Sequence, residues 1–133
     1  MGRIDKSLIL GASAAALLML VAARSPAAIQ LASPGQWEFT GLPSAGGPAR
    51  QCLADTGALT RLEHRGQSCE EKVISQDEAS TLVHYTCANG GYGQTKVTML
   101  TPRSLRIETQ GISANYPFNY KIQARRVGEC PAH

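Results

Sequence analysis

Apolar and polar residues alternate along the second half of the chain. The longest such run, over residues 116–127, sends an apolar set of side chains to one side and a polar set to the other. Because successive side chains of a strand point to opposite faces of a sheet, this period of two predicts strands with one buried and one solvated face. The same pattern predicts three further strands, over residues 81–87, 93–100 and 105–111.

Turn-forming residues separate the predicted strands. Asn89-Gly90 favours a tight hairpin, and Pro102 marks the next reversal of the chain. Three shorter strands are predicted in the first half, over residues 36–40, 50–53 and 69–74. The chain therefore contains about seven strands, most of them joined by short connections.

One short helix is predicted between the second and third strands. Asp55 is a residue type that caps helix N-termini, and about two helical turns can follow it. Leu59 and Leu62 would then lie three residues apart on the inner side of the helix. The fold class is mainly β. Since tight hairpins keep sequential strands adjacent, we expect a curved antiparallel meander sheet or a small open barrel.

The start of the chain has the composition of an export signal. Arg3 and Lys6 precede an uncharged, mostly apolar run over residues 7–23, and small residues follow it. A positive start, an apolar middle and a small-residue end are the three parts of a signal peptide. The run has about 17 residues, the lower limit for a membrane-spanning helix, so an uncleaved anchor is the alternative.

We predict that residues 1–27 are a signal peptide, cleaved after Ala23 or Ala27, and that residues 28–133 form one exported β-rich domain. The expected location is periplasmic or secreted. A membrane is involved only if the signal is not cleaved.

The charge of the exported part argues against nucleic acid as a partner. The whole chain has 13 basic and 10 acidic residues. Removal of residues 1–27 takes away Arg3, Lys6 and Arg24 but only one acid, Asp5, which leaves 10 basic and 9 acidic residues. A nucleic-acid-binding domain usually carries a concentrated basic face.

Four cysteines follow the leader, at Cys52, Cys69, Cys87 and Cys130. An even number in a small exported domain predicts two disulfides, which compensate for a thin core. Of the three possible pairings we favour Cys52–Cys69, which closes a short loop, with Cys87–Cys130. Structural zinc sites need closely spaced cysteine pairs, and the gaps here are 17, 18 and 43 residues, so we expect no metal.

Two short motifs mark the ends of the exported part. Pro34-Gly35-x-Trp37-Glu38 begins it, and Arg126-x-Gly128-x-Cys130 ends it. With the cysteines between them, they resemble a family of small exported bacterial proteins known as domain of unknown function 3617. The resemblance covers residues 33–130. It implies an export signal, a β-rich fold and paired cysteines, and it implies no reaction and no ligand.

No catalytic constellation is visible. The three histidines are His64, expected at the exposed end of the helix, His84, expected on a strand face, and His133, the last residue. No Gly-x-Ser-x-Gly elbow is present, and oxidised cysteines cannot act as nucleophiles. The glycine-rich segment 89–93 joins two strands, so its glycines are interpreted as turn residues with positive φ. We expect neither an enzyme nor a cofactor.

Adjacent carboxylates offer no acid–base pair either. Glu70-Glu71 and Asp77-Glu78 lie in a predicted strand and a predicted turn, where neighbouring side chains point apart. We interpret both pairs as solvated charge.

Three residues are candidates for binding: Tyr92, Lys96 and Tyr116. Five aromatic residues lie on or beside the predicted meander strands; they are Tyr85, Tyr92, Tyr116, Phe118 and Tyr120. They either pack in the core or converge outside it to form an apolar groove. Basic residues at outward positions could contact an anionic polymer or be ordinary solvated charge; they are Arg106, Lys121 and Arg125.

The favoured function is a non-enzymatic binding or interaction module of the cell envelope, monomeric, with an unknown envelope protein or lipid as its partner. The alternative is an inhibitor of a cell-wall hydrolase. The segment Tyr92-Gly93-Gln94-Thr95-Lys96 is loosely similar to a loop of small exported lysozyme inhibitors. An enzyme of unknown type is the third possibility.

Overall fold

The computed structural model describes residues 32–132, which form seven strands and one 3₁₀ helix. In chain order these are β1 (Gly35–Thr40), β2 (Ala49–Leu53), the 3₁₀ helix (Thr56–His64), β3 (Cys69–Gln76), β4 (Ser80–Cys87), β5 (Tyr92–Thr101), β6 (Ser104–Ser113) and β7 (Tyr116–Gly128). The predicted leader over residues 1–27, its cleavage sites and His133 lie outside the described residues. No helix of the described part is long and apolar enough to cross a membrane.

All seven strands belong to one antiparallel sheet with the order β2-β1-β7-β6-β5-β4-β3. Strands β3 to β7 form the predicted meander, and β1 then pairs with β7, the last strand. The predictions of a mainly β fold, seven strands and one short helix are confirmed. The barrel alternative is wrong, because closure would need β2 to pair with β3, and both remain edge strands of an open sheet.

The inner face of the sheet carries the core. The 3₁₀ helix packs across β4, β5 and β6 and buries Leu59 completely. Leu62 packs against the same cluster, although the backbone of Arg61, between Leu59 and Leu62, is not helical (φ −137°, ψ 43°). The predicted cap is confirmed: the Asp55 carboxylate accepts a hydrogen bond of 2.8 Å from the backbone N–H of Gly57. The largest buried apolar side chains of the sheet are Trp37, Phe39, Tyr85, Leu105, Ile107 and Ile122.

Residues with positive φ form the tight turns of the meander. Gly90 has φ of +91° and lies in the predicted turn between β4 and β5. The β6–β7 hairpin turns at Ala114 (φ +48°) and Asn115 (φ +67°), between the paired residues Ser113 and Tyr116. Two successive left-handed residues match the twist of a two-residue hairpin.

The disulfides join Cys52 to Cys130 and Cys69 to Cys87, so the predicted pairing of Cys52 with Cys69 and Cys87 with Cys130 is wrong. The reason is strand register. Cys69 and Cys87 are direct partners of β3 and β4, with Cα atoms 3.9 Å apart. Gln36 on β1 pairs with Cys52 on one side and with the end of β7 on the other, so Cys130 lies close to Cys52.

Candidate functional site

The solvent face of the sheet carries its side chains in ordered rows. Residues paired across antiparallel strands share a face and stand side by side. Over β4 to β7 this pairing produces three successive rows. The apolar row comprises Tyr92, Ile112 and Pro117, with the polar Thr86 of β4 beside Tyr92. The amide row comprises His84, Gln94, Gln110 and Asn119. The charged row comprises Leu82, Lys96, Glu108 and Lys121.

The amide row crosses four strands without interruption. Neighbouring strands lie ~4.8 Å apart, and residues two apart along a strand are separated by ~6.7 Å. Within residues 32–132, no other side chain hydrogen-bonds to the amides of Gln94, Gln110 or Asn119. Each of these amides can donate two hydrogen bonds and accept others. The row therefore presents an evenly spaced set of donors and acceptors to the solvent.

Two concave regions border the amide row and have the same three amides in their walls. The first has a volume of 380 Å³ and contains no Asp, Glu, Lys or Arg; it is lined by His84, Tyr92, Gly93, Gln94, Gln110, Gly111, Pro117, Phe118 and Asn119. The second, of 330 Å³, lies on the charged side and is lined by Leu82, Gln94, Lys96, Glu108, Thr109, Gln110, Asn119 and Lys121. We call the two regions together the amide groove. Both regions are shallow and open to solvent, and their volumes lie near the lower end of the usual range of ligand sites.

The charged row is partly neutralised within itself. Lys121 Nζ lies 3.0 Å from Glu108 Oε1. That hydrogen bond, with the charges of Lys121, Lys96 and Arg106, lowers the pKa of the Glu108 carboxyl. Lys121 and Arg106 point outward, as the alternation of apolar and polar residues along β6 and β7 predicts. Arg125 lies on the same face of the sheet, and its guanidinium pairs with the Glu38 carboxylate at 3.3 Å. Two of the three predicted outward basic residues therefore have acidic partners on the sheet.

The predicted binding residues are brought together only in part. Tyr92, with 44% of its surface exposed, lines the first region, and Lys96 lines the second. Tyr116 is 75% exposed at the β6–β7 turn and lines neither region. Sequence reasoning missed Gln94 and Gln110, because an outward polar residue carries no signal until its cross-strand partners are known.

Most of the aromatic residues do not form an exposed groove. Tyr85 is completely buried, and Tyr120 packs against the core while its hydroxyl donates to Glu63 Oε2 at 3.0 Å. The Phe118 ring lies beside the Tyr120 ring in a tilted arrangement, with ring centroids 5.9 Å apart, and Phe118 also lines the first region. Tyr92 is the aromatic residue that faces solvent in the groove, with His84 at a centroid distance of 6.4 Å.

His64 is buried, so the prediction that it lies at an exposed helix end is wrong. Its Nε2 lies 3.1 Å from the carbonyl oxygen of Ile112, and its Nδ1 lies 2.9 Å from the hydroxyl of Tyr85. A carbonyl can only accept, so Nε2–H donates and Nδ1 accepts from Tyr85. Both ring nitrogens are therefore occupied by the protein itself. Burial, with the nearby carboxylates of Glu63 and Glu71, raises the pKa of Tyr85 to about 12.

Glycines make room for this buried pair. Tyr85, Gly93, Gly111 and Phe118 are consecutive partners on the inner face, so two glycines lie between two aromatic rings. A Cβ at Gly93 would lie 2.5 Å from the Tyr85 hydroxyl. One at Gly91 would collide with the His64 ring. The interpretation of segment 89–93 as positive-φ turn residues therefore holds for Gly90 alone.

One carboxylate of each adjacent pair has a structural partner. Glu71 accepts hydrogen bonds from Thr60 and Arg61 of the 3₁₀ helix, so it is not merely solvated. Asp77 accepts from the backbone N–H groups of Ala79 and Ser80, which lowers the pKa of its carboxyl. Among residues 32–132 no group of three His, Cys, Asp or Glu side chains is placed to hold a metal ion.

These features define an open seven-stranded antiparallel sheet, held by two disulfides, with a polar groove on its solvent face. The chain belongs to the family described as Protein of unknown function (DUF3617), whose model matches residues 32–130. No curated protein and no solved structure matches the chain.

Proposed function

We propose that this protein is a non-enzymatic binding module, exported to an oxidising compartment of the cell envelope or secreted, that binds its partner in the amide groove. The observation that carries the proposal is the row of three amides, unpaired within residues 32–132, in the wall shared by two concave regions. Polar groups on folded proteins usually bond to their neighbours or to water. A bound ligand can replace that water without breaking any contact inside the protein.

The assignment as a binding module, rather than an enzyme, is supported by how the reactive groups are used. All four cysteines are in disulfides. His64 has both nitrogens bonded within the core, and its ring does not line the groove. His84 does line it, but no Ser, Cys, Asp or Glu lines the same region to form a nucleophile–base pair.

The proposed compartment is supported by two observations of different kinds. Two disulfides in a domain of this size are typical of oxidising environments such as the periplasm. The leader predicted over residues 1–27 would direct the chain there. Titration of free thiols in protein taken directly from the envelope should find none.

The hydrolase-inhibitor hypothesis gains no support from the geometry. The segment Tyr92 to Lys96 lies within strand β5 and not in a protruding loop that could enter an enzyme cleft. Thr95 in its centre is buried and hydrogen-bonds Thr109 at 2.8 Å.

An NMR titration against ligands of several chemical classes tests the proposal. Isotope-labelled protein with both disulfides formed is mixed with three envelope fractions from the producing organism: soluble glycan fragments, lipid in detergent micelles, and envelope proteins. We expect at least one fraction to shift the signals of Tyr92, Gln94 and Gln110, while signals of the loop over residues 41–48 stay unchanged.

Two exposed glutamines provide a matched pair of variants. Gln110→Ala, on β6, removes the central amide of the groove. Gln123→Ala, on β7, changes an exposed position on the same face of the sheet but outside both regions. The shifts should weaken in the first variant and persist in the second. The proposal fails if no fraction moves the groove signals, or if both variants behave alike.

A further inference from the structure

We infer that the amide groove binds an oligosaccharide built of uncharged sugars bearing hydroxyl and acetamide groups, which lies along the amide row and across the strands. This inference rests on the proposed function and names its ligand class. Its starting point is the mixture of groups in the groove: planar amides in the wall, an aromatic ring on one side, and a compensated ion pair on the other.

The hydrogen-bonding capacity of the wall matches sugars. A hydroxyl both donates and accepts, and so does each amide of Gln94, Gln110 and Asn119. Adjacent strands repeat these amides every ~4.8 Å along the row. A ligand with polar groups at regular intervals can bond to successive amides, and a polymer of sugars provides that regularity.

The apolar side of the groove matches the C–H faces of sugar rings. Tyr92 and Pro117 border the first region, and Tyr92 is directly paired with Ile112 in the apolar row. Tyr92 is 44% exposed, so part of the residue can contact a ligand without rearrangement. Sites that bind small molecules typically combine aromatic surface with a few placed polar groups in this way.

Other ligand classes fit the groove less well. An extended peptide that adds to a sheet needs unpaired backbone groups, and β4, β5 and β6 have a strand on both sides. Strand β1 pairs with β7 only from Gln123 onward, so a peptide that added to the first half of β7 would lie beside Asn119 and not over Gln94 and Gln110. A lipid chain needs a predominantly apolar cavity, whereas this groove is crossed by amides. A polyanion would meet Lys96 and Lys121, but Glu108 lies between them and 3.0 Å from Lys121 Nζ, which leaves the charged row with a net charge of only +1.

The test uses tetra-N-acetylchitotetraose as the probe and tetragalacturonate, an oligosaccharide that carries a carboxylate on every unit, as the comparison. Binding to the whole protein with both disulfides formed is measured by calorimetry and by NMR. We expect the uncharged probe to shift the groove signals and to bind with the same affinity at low and high salt, since no net charge is neutralised. Tetragalacturonate should bind about tenfold more weakly or not at all, because carboxylates lying against the first region would find no basic residue to pair with.

The variants connect binding to the amide row. Gln94→Ala with Gln110→Ala removes two adjacent amides and should weaken binding about tenfold or more. Gln123→Ala is the control and should not change the affinity. Gln110→Glu keeps the size of the side chain but places a charge in the uncharged region, and it should also weaken binding. Thermal unfolding of each variant shows whether the fold is intact.

The outcomes separate this inference from the proposed function. The inference is overturned if the uncharged probe leaves the groove signals unmoved while the lipid or the protein fraction shifts them, and the proposed function then stands. It is also overturned if tetragalacturonate binds as well and loses affinity with salt. If neither the probe nor any envelope fraction moves those signals, both are wrong.

Discussion

The guanidinium of Arg126 occupies the space that a Cβ atom at Gly35 would need, and its Nε donates a hydrogen bond of 2.9 Å to the carbonyl oxygen of Pro34. This contact joins the first strand to the last. The same region holds Trp37, whose indole N–H donates to the carbonyl of Ser33 at 3.0 Å. The two motifs on which the family resemblance rests therefore meet at the β1–β7 junction and have a structural role there.

Replacement of Gly35 by Ala should destabilise the protein by about 1–3 kcal/mol. Gly35 has φ of +148°, and a Cβ there would lie 2.6 Å from both Arg126 Nε and the carbonyl oxygen of Gly128. Urea unfolding monitored by Trp37 fluorescence measures the effect. Gly46→Ala is the control, since nothing lies within 4 Å of a Cβ at that position. Equal stabilities of the two variants would contradict the role assigned to Gly35.

Strand positions could be predicted closely wherever the alternation is clean. The pattern predicts residues 116–127, and β7 runs from Tyr116 to Gly128. It predicts residues 105–111, and β6 extends by one residue at the start and two at the end. Burial of alternate side chains dictates both the strand and its face, so the signal is local and strong.

Which strands become neighbours was not predictable in the same way. A period of two identifies the buried face of β1 but does not say that β7 lies beside it. The disulfide pairing depends on this non-local neighbour, because Cys130 reaches Cys52 only when β7 stands next to β1. The amide row depends on register for the same reason. Gln94 and Gln110 are 16 positions apart in sequence and adjacent only through the pairing of β5 and β6.

The burial of His64 has a signal in the sequence, although not at the histidine itself. Gly93 and Gly111 fall inside strand patterns, where a glycine often marks a close approach of another group. The 3₁₀ helix that delivers His64 is short, so its apolar periodicity covers too few residues to show which end is buried.

Gly93→Ala should cost about 1–3 kcal/mol of stability, because the added methyl group overlaps the Tyr85 hydroxyl that bonds His64. Gly47→Ala, at a loop position with open space around it, should change stability by less than about 0.5 kcal/mol. Thermal unfolding of the two variants under the same conditions measures the difference. A Gly93→Ala protein as stable as the parent would show that Tyr85 can move aside freely.

Stability should fall above about pH 10. Burial, with the carboxylates of Glu63 and Glu71, raises the pKa of Tyr85 to about 12, and burial together with Glu63 raises the pKa of Tyr120. An unfolded tyrosine loses its proton near pH 10, so above that pH the folded state binds more protons and unfolding is favoured. The stabilising contribution of each buried tyrosine is fully present below pH 10, and it is lost as the pH rises towards the pKa of that tyrosine in the folded state.

Each such tyrosine should lower the free energy of unfolding by about 1.4 kcal/mol per pH unit in that window. Urea midpoints measured at intervals from pH 8 upward would show this slope. Tyr120→Phe should make the slope shallower, whereas Tyr116→Phe, at a residue 75% exposed, should leave it unchanged. If the slope is the same in Tyr120→Phe as in the parent protein, Tyr120 does not contribute to the loss of stability at high pH.

The two disulfides should differ in what they contribute. Peptide mapping under non-reducing conditions should recover Cys52 linked to Cys130 and Cys69 linked to Cys87. The first closes a sequence separation of 78 residues and the second one of 18. In the chain-entropy description, loops of these lengths correspond to about 4.5 and about 3.2 kcal/mol, so replacing Cys52 and Cys130 by Ala should destabilise more than replacing Cys69 and Cys87. Urea unfolding of the two double variants measures the order. The reverse order would mean that tying the edge strand β3 to β4 contributes more than joining the two ends of the domain.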